Sequence, residues 1–215
     1  MFESLTGIGL ATAAGLNAYI PLLAIGLLAR FTSLITLPQG WQWLENGWVI
    51  AILVVLLAIE FVADKIPIVD HINDVVQTFI RPTAGGLAFG ATSAGGDSAT
   101  VSDPSNLHQW TPIIAGAVIS LVVHIVKAAA RPVINASTVG LGAPVASTAE
   151  DATSVVLALV AIIVPILIVL VLIALIVVIW LLIRARRQRR RRKAELRRAT
   201  AVRGPTYPPP ADPWA

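Results

Sequence analysis

Apolar positions in this chain come in long blocks, and the polar ones gather at their ends. Leu5 to Ala29 is the first block, long enough at ~1.5 Å per residue to cross about 30 Å of hydrocarbon as a helix. Asn17, Tyr19 and Pro21 interrupt it, and Pro21 frees a backbone carbonyl at that depth. Arg30 to Asn46 is a connector whose Trp41 and Trp43, with Trp48 just beyond, suit a membrane–water interface. The second block, Gly47 to Pro67, carries Glu60 and Asp64 on one face in its last third, and Pro67 is expected to close it. Residues 68–81 then read as a short surface-lying segment, with Ile68, Val69, Ile72, Val75 and Val76 as its apolar side.

Pro82 to Gly96 spans fifteen residues, a length that suits a re-entrant or partly buried helix with Pro82 at its first position. A polar loop ends at His108, which reads as exposed. Trp110 to Arg131 is the fourth block, stopped by Pro132. Ser147 and Glu150 have capping-box spacing, so a helix is expected to start there with two acids in its first turn. It would continue through the aliphatic run Val155 to Ile183, broken by Pro165, for ~50 Å, and so must tilt, kink or project. Gly7, Ala11 and Gly15, and again Gly86, Gly90 and Ala94, form small-residue stripes for close helix packing.

Composition turns these blocks into a class. Hydrophobic residues make up 56% of the chain and charged ones 13%, about half the charged share of an ordinary soluble domain. The expected fold is therefore all-α: a polytopic membrane bundle of about five transmembrane segments, the third short or re-entrant. Residues 1–183 would form it, and 184–215 a disordered tail, Arg-rich and then Pro-rich. The chain has no cysteine, which excludes disulfides, thiolate metal sites and thiol nucleophiles. The start lacks a basic segment before its apolar run, so the first block is not expected to be a cleaved signal.

Charge is divided unevenly. Residues 1–183 hold five basic against ten acidic residues, and 184–215 hold eleven basic against two acidic. Beside an aliphatic helix, the basic run Arg184 to Arg198 reads as a cytoplasmic stop-transfer flank that attracts anionic headgroups, not as a nucleic-acid site. Counting five crossings back from a cytoplasmic tail places the N-terminus outside. The ends of blocks two and four and the starts of three and five then share that face. If residues 82–96 only dip into the bilayer, four crossings put the acidic and basic stretches on opposite faces.

The candidate chemistry lies in those stretches. His124, Lys127 and Arg131 follow i, i+3, i+7 spacing and share a helix face, as Glu60 and Asp64 share another. Charges at membrane depth cost several kcal/mol unless they face partners or a wet cavity, so the two faces are expected to meet, with Glu60 opposite His124 and Lys127. Arg81, Glu150, Asp151 and Asn17 are candidates for the same site. Asp70, His71 and Asp74 read as solvated at the interface, with a divalent cation as the sharper alternative. No nucleophile elbow, zinc helix motif, phosphate loop or dinucleotide fingerprint is present, and no cofactor is implied.

GLNAYIPLL, ExxxDKIPxVDHxxD, RPxAGG, HxxKxxxR and SxxED occur here in that order, over roughly residues 5–170. Together they resemble the bacterial membrane proteins grouped as domain of unknown function 4126. That resemblance implies a multi-pass inner-membrane protein without an established activity. Three functions fit the residues. One is a small non-enzymatic transporter or permease, with Glu60, Asp64 and His124 titrating and Lys127, Arg131 and Arg81 meeting an anion. Another is a non-enzymatic envelope or assembly protein whose charges only lock the bundle; a homo-oligomer is compatible with either reading. The third is a metal-dependent enzyme on lipid phosphates, with Asp64, Asp70, His71 and Asp74 as ligands.

Overall fold

The computed structural model describes residues 2–64, 66–93, 107–138 and 142–165, with single positions or pairs between 167 and 188. It is helical, with no strand among the described residues: α1 (Phe2–Leu16), α2 (Tyr19–Phe31), a 3-10 turn (Gln39–Glu45), α3 (Gly47–Ala63), α4 (Pro67–Ser93), α5 (Leu107–Thr138) and α6 (Gly142–Ile163). Met1–Val171 forms one compact unit and Leu172–Ala215 another. In the second unit, the Arg184 guanidinium stands 5.2 Å from the ring centre of Trp180.

The helices are inside-out relative to a soluble bundle. On α3, Ile52, Val55, Ile59 and Val62 face outward while Glu60 is 2% exposed. On α4, Val75, Val76 and Phe79 face outward while Gln77 and Arg81 are buried. That is the arrangement a lipid solvent imposes, since apolar side chains lose nothing by facing it and polar ones must find partners inside. Trp110–Pro132 and Pro144–Ile163 are each long and apolar enough to cross a membrane, and the 3-10 turn with α3 makes a bent third candidate.

The first apolar block does not form one span. It breaks at Asn17 and Ala18, because Pro21 has no N–H to donate back to the Asn17 carbonyl. Placed in the first turn of α2, where N–H groups lack helical partners anyway, the proline costs little. The chain then reverses. The first turn of α1 (Glu3, Thr6) and the loop after α2 (Leu34 to Thr36) line one cavity of ≈ 410 Å³, so α1 and α2 run side by side in opposite directions.

Other expected boundaries shift for related reasons. Asp64, not Pro67, caps α3, and Pro67 opens α4 at a helix's first position. The surface segment and the short third segment are one helix of 27 residues with Pro82 inside it; residues 94–96 lie outside the described residues. Pro132 likewise lies within α5, which continues to Thr138. Interior prolines cost ~3 kcal/mol in an isolated helix, a cost that packing against neighbouring helices offsets. Beside Pro82, Ser120 Oγ ties α5 to α4 by donating to the Arg81 carbonyl at 2.7 Å. α6 starts at Gly142, so Ser147 is a buried residue within it and not its cap. The expected interruption near Pro165 is present: α6 ends at Ile163, and tight turns follow from Val164 to Leu167 and from Pro165 to Ile168.

Glycine lets α4 and α5 touch. A Cβ at Gly85 would lie 2.7 Å from the Gly116 carbonyl oxygen, and one at Gly116 would collide with the Gly85 carbonyl. This contact fixes the height of Arg81 against His124.

The bundle therefore has two unlike ends. The ends of α1, α3 and α5 and the start of α6 gather at a charged end. The cavity end holds the start of α1 and the ends of α4 and α6, with Ala91, Thr92, Ile162 and Pro165 in its lining. The start of α1 and the end of α4 thus share one end of the bundle. Single cysteines at Ser4 and Thr148, both exposed in this cysteine-free chain, are expected to react with an impermeant thiol reagent from opposite sides of membrane vesicles. Labelling of both from one side contradicts the arrangement.

Candidate functional site

The break between α1 and α2 sits against the charged groups. Three carbonyls at the end of α1 receive side chains from other helices: Ala13 from Ser154 Oγ (3.0 Å), Gly15 from Arg81 Nη1 (3.3 Å) and Leu16 from Lys127 Nζ (2.9 Å). A helix C-terminus carries partial negative charge, so two cations there gain from both the hydrogen bonds and the dipole. Asn17, fully buried, serves both sides of the break. Its Oδ1 accepts from the Tyr19 and Ile20 N–H groups at 3.1 and 3.2 Å, and its Nδ2 donates to Asp151 Oδ1 at 3.0 Å.

Asp64 is the hub. As the residue after α3, it places a carboxylate where the helix dipole disfavours one. Three cations offset this: Arg131 at 3.1 Å, Lys127 at 3.3 Å and Arg81 at 3.9 Å. Asn73 completes it, donating to Oδ1 at 2.8 Å. Glu150 on α6 lies 3.0 Å from both Lys127 and Arg131. With α6 starting at Gly142, Glu150 and Asp151 lie two turns in, so side-chain partners hold them and not the dipole of a first turn.

Glu60 meets a different cation from the one expected. Its Oε1 accepts from Arg81 Nη2 at 2.8 Å, and no direct bond to Lys127 or His124 occurs among the described residues. Helix spacing shows which residues share a face but not which turn of a neighbour they meet. Pro82, read as a helix start, hid the fact that Arg81 is in mid-helix. Arg81 is fully buried and also approaches His124 Nδ1, at 3.2 Å. A guanidinium can only donate, so Nδ1 accepts and the ring proton resides on Nε2. Nε2 is 3.1 Å from Thr78 Oγ1, which itself donates to the Asp74 carbonyl at 2.8 Å. His124 is thus a neutral relay between a buried arginine and an exposed threonine.

Of the sequence-derived candidates, Asn17, Glu60, Asp64, Arg81, His124, Lys127, Arg131, Glu150 and Asp151 come together. Asp74 lies on the same face of α4 as Arg81, half-buried. The side chains of Asp70 and His71, and the whole of Lys65, lie outside the described residues. No group of three or more metal-ligating side chains occurs among the described residues. Asn73, Gln77, Thr78, Ser120 and Ser154 were not singled out from the sequence. Asn73 and Gln77 lie eight and four residues before Arg81, and one continuous helix puts all three on its inner face.

Removing one partner of a buried pair leaves the other unpaired at a cost of about 3–5 kcal/mol. Arg81→Met and Glu60→Met should each destabilise the protein by that order, and the double variant should recover much of the loss. Glu60→Met should not rescue Lys127→Met. Unfolding in detergent measures this, and additive losses for Glu60 and Arg81 contradict the pairing.

A model of the family described as Domain of unknown function (DUF4126) matches residues 4–185. No curated protein and no solved structure matches the chain. Every residue of the network from Asn17 to Asp151 falls inside the matched region, and with most of its length covered, this helical, membrane-like chain belongs to the DUF4126 family.

Proposed function

We propose that the protein is a small, non-enzymatic transporter of the bacterial inner membrane that couples an inorganic or small organic anion to protons. The observation that carries this is the helix break at Asn17 and Ala18 inside a buried cluster of both signs. Discontinuous helices with their ends at a polar site are how many transporters build a binding site within apolar walls, and buried intramembrane charges point to function by default.

The chemistry follows from competition for the cations. Lys127 and Arg131 are occupied by Asp64 and Glu150. Glu150, whose side chain is 17% exposed against 1% for Asp64, is the carboxylate that a solute reaches first. An incoming anion can take its place on both cations, and a proton entering with the anion balances the added charge. The small-residue contacts of α1, α4 and α5 allow the helices to shift around the site. The tail Arg184 to Arg198 would face the cytoplasm and hold anionic headgroups.

A scaffold reading also has an observation behind it. Lys127 is fully committed, to Leu16, Asp64 and Glu150, as a purely structural lock would be. Proteoliposomes on a solid-supported membrane separate the two, using concentration jumps of chloride, nitrate, phosphate, bicarbonate and acetate at acidic and neutral pH. The transporter account expects a current for at least one anion, larger at acidic pH. Lys127→Met should abolish it. Silence with every anion in folded protein leaves the network as a lock.

A further inference from the structure

Three buried polar atoms around Arg81 have no hydrogen-bond partner. Glu60 uses Oε1 on Arg81 and leaves Oε2 unmatched, Gln77 leaves Oε1, and Arg81 leaves its Nε–H. Glu60 and Gln77 are each 2% exposed and Arg81 is 0% exposed. Covalent geometry keeps Oε2 and Nε beside the Glu60–Arg81 bond, and Gln77 sits one turn before Arg81 on the same face. Tyr19, the first residue of α2, is buried beside the same groups, within electrostatic range of Gln77, Glu60 and Arg81. The unmatched atoms therefore belong to adjoining buried side chains of α3 and α4, with Tyr19 at the break beside them.

An unmatched buried donor or acceptor costs about 1–3 kcal/mol, and more if charged, so three in one place call for a shared ligand. Its chemistry is fixed by what they lack: two acceptors need donors, and one donor needs an acceptor. A sodium ion would satisfy the oxygens but meet the Nε–H and the guanidinium charge, whereas hard cations take oxygen ligands alone. An anion would satisfy Nε and be repelled by Glu60 and the Gln77 oxygen. A water molecule supplies two hydrogens and a lone pair, within the two to four bonds buried waters make.

We propose that Glu60 Oε2, Gln77 Oε1 and Arg81 Nε bind a water molecule beside Tyr19, and that through it Glu60 takes up a proton from the helix break. A hydronium at the break gives a proton to the bound water, which passes one of its own to Oε2. The carboxylate becomes a carboxylic acid, and the bound water is regenerated. Arg81 keeps its contacts to the Gly15 carbonyl and His124 Nδ1 throughout. The coupling ion is then a proton and not sodium; this last step rests on the transport reading, while the water site stands on geometry alone.

X-ray radiolytic hydroxyl-radical footprinting of the full chain in detergent tests the site, because residues touching bound water are oxidised even when buried. Tyr19 and Phe89 are equally buried, at 7% and 8% exposed. Tyr19 is expected to oxidise several-fold faster than Phe89, and Gln77→Met to remove most of that excess without changing Phe89. Oxidation of Tyr19 at the rate of Phe89 overturns the site. Should Gln77→Met fail to fold, wild-type melting in sodium chloride against choline chloride at equal ionic strength decides between ligands. No difference is expected, and a sodium-dependent rise in Tm that Glu60→Gln abolishes overturns the proposal. A fast-oxidising Tyr19 in protein that carries no anion current keeps the water and removes its coupling role.

Discussion

The burial of charge at the end of α1 is the constraint on which the rest of the bundle depends. Arg81, Lys127 and Arg131 leave water together with Glu60, Asp64 and Glu150, and none of the six can do so alone. Desolvation of such ions costs several kcal/mol each even after relaxation, and attraction between them repays it only with good geometry and full hydrogen bonding. The backbone supplies part of that bonding. By ending at Leu16, α1 offers one carbonyl each to Arg81 and Lys127 beside their carboxylate partners, and Asn17 returns its own bonds to the start of α2. Broken helix and charge network thus stabilise each other, and neither would survive in the membrane without the other.

From this, the placement of the other elements follows. α3 must end at Asp64, where three cations can reach its cap. α4 must carry Arg81 past Glu60 in mid-helix, and the glycine contact with α5 sets Arg81 level with His124. α6 must begin well before Glu150, so that its acids meet Lys127, Arg131 and Asn17 from the side. Lipid-facing surfaces are correspondingly free to be uniform, and α3 shows it with Ile52, Val55, Ile59 and Val62 in a row.

Membership of the site was legible in the sequence because an ionisable residue in an apolar block has few places to go. Glu60, Asp64, His124, Lys127 and Arg131 could all be picked out on that ground, while Arg81, Glu150 and Asp151 were candidates from the charged stretches flanking the apolar blocks. The partnerships were not, because i, i+4 spacing gives a face and leaves the height of neighbouring helices open. Proline misled most. Pro67, Pro82 and Pro132 read as punctuation, yet one opens a helix and two lie inside helices. Pro21 did signal a break, but hydropathy measures only the length of an apolar run. It cannot distinguish a 25-residue span from two half-length helices folded back to back.

That fold-back is the central claim, and a distance across it is the most direct test. Spin labels on cysteines at Ser4 and Ser33, both exposed, report it by pulsed dipolar spectroscopy in liposomes. With α1 and α2 antiparallel, both positions lie at the cavity end, and a short separation, roughly 20 Å or less, is predicted from helices packed 8–10 Å apart. A single continuous helix from residue 4 to residue 33 would put them about 43 Å apart, and a distance distribution centred there would contradict the account.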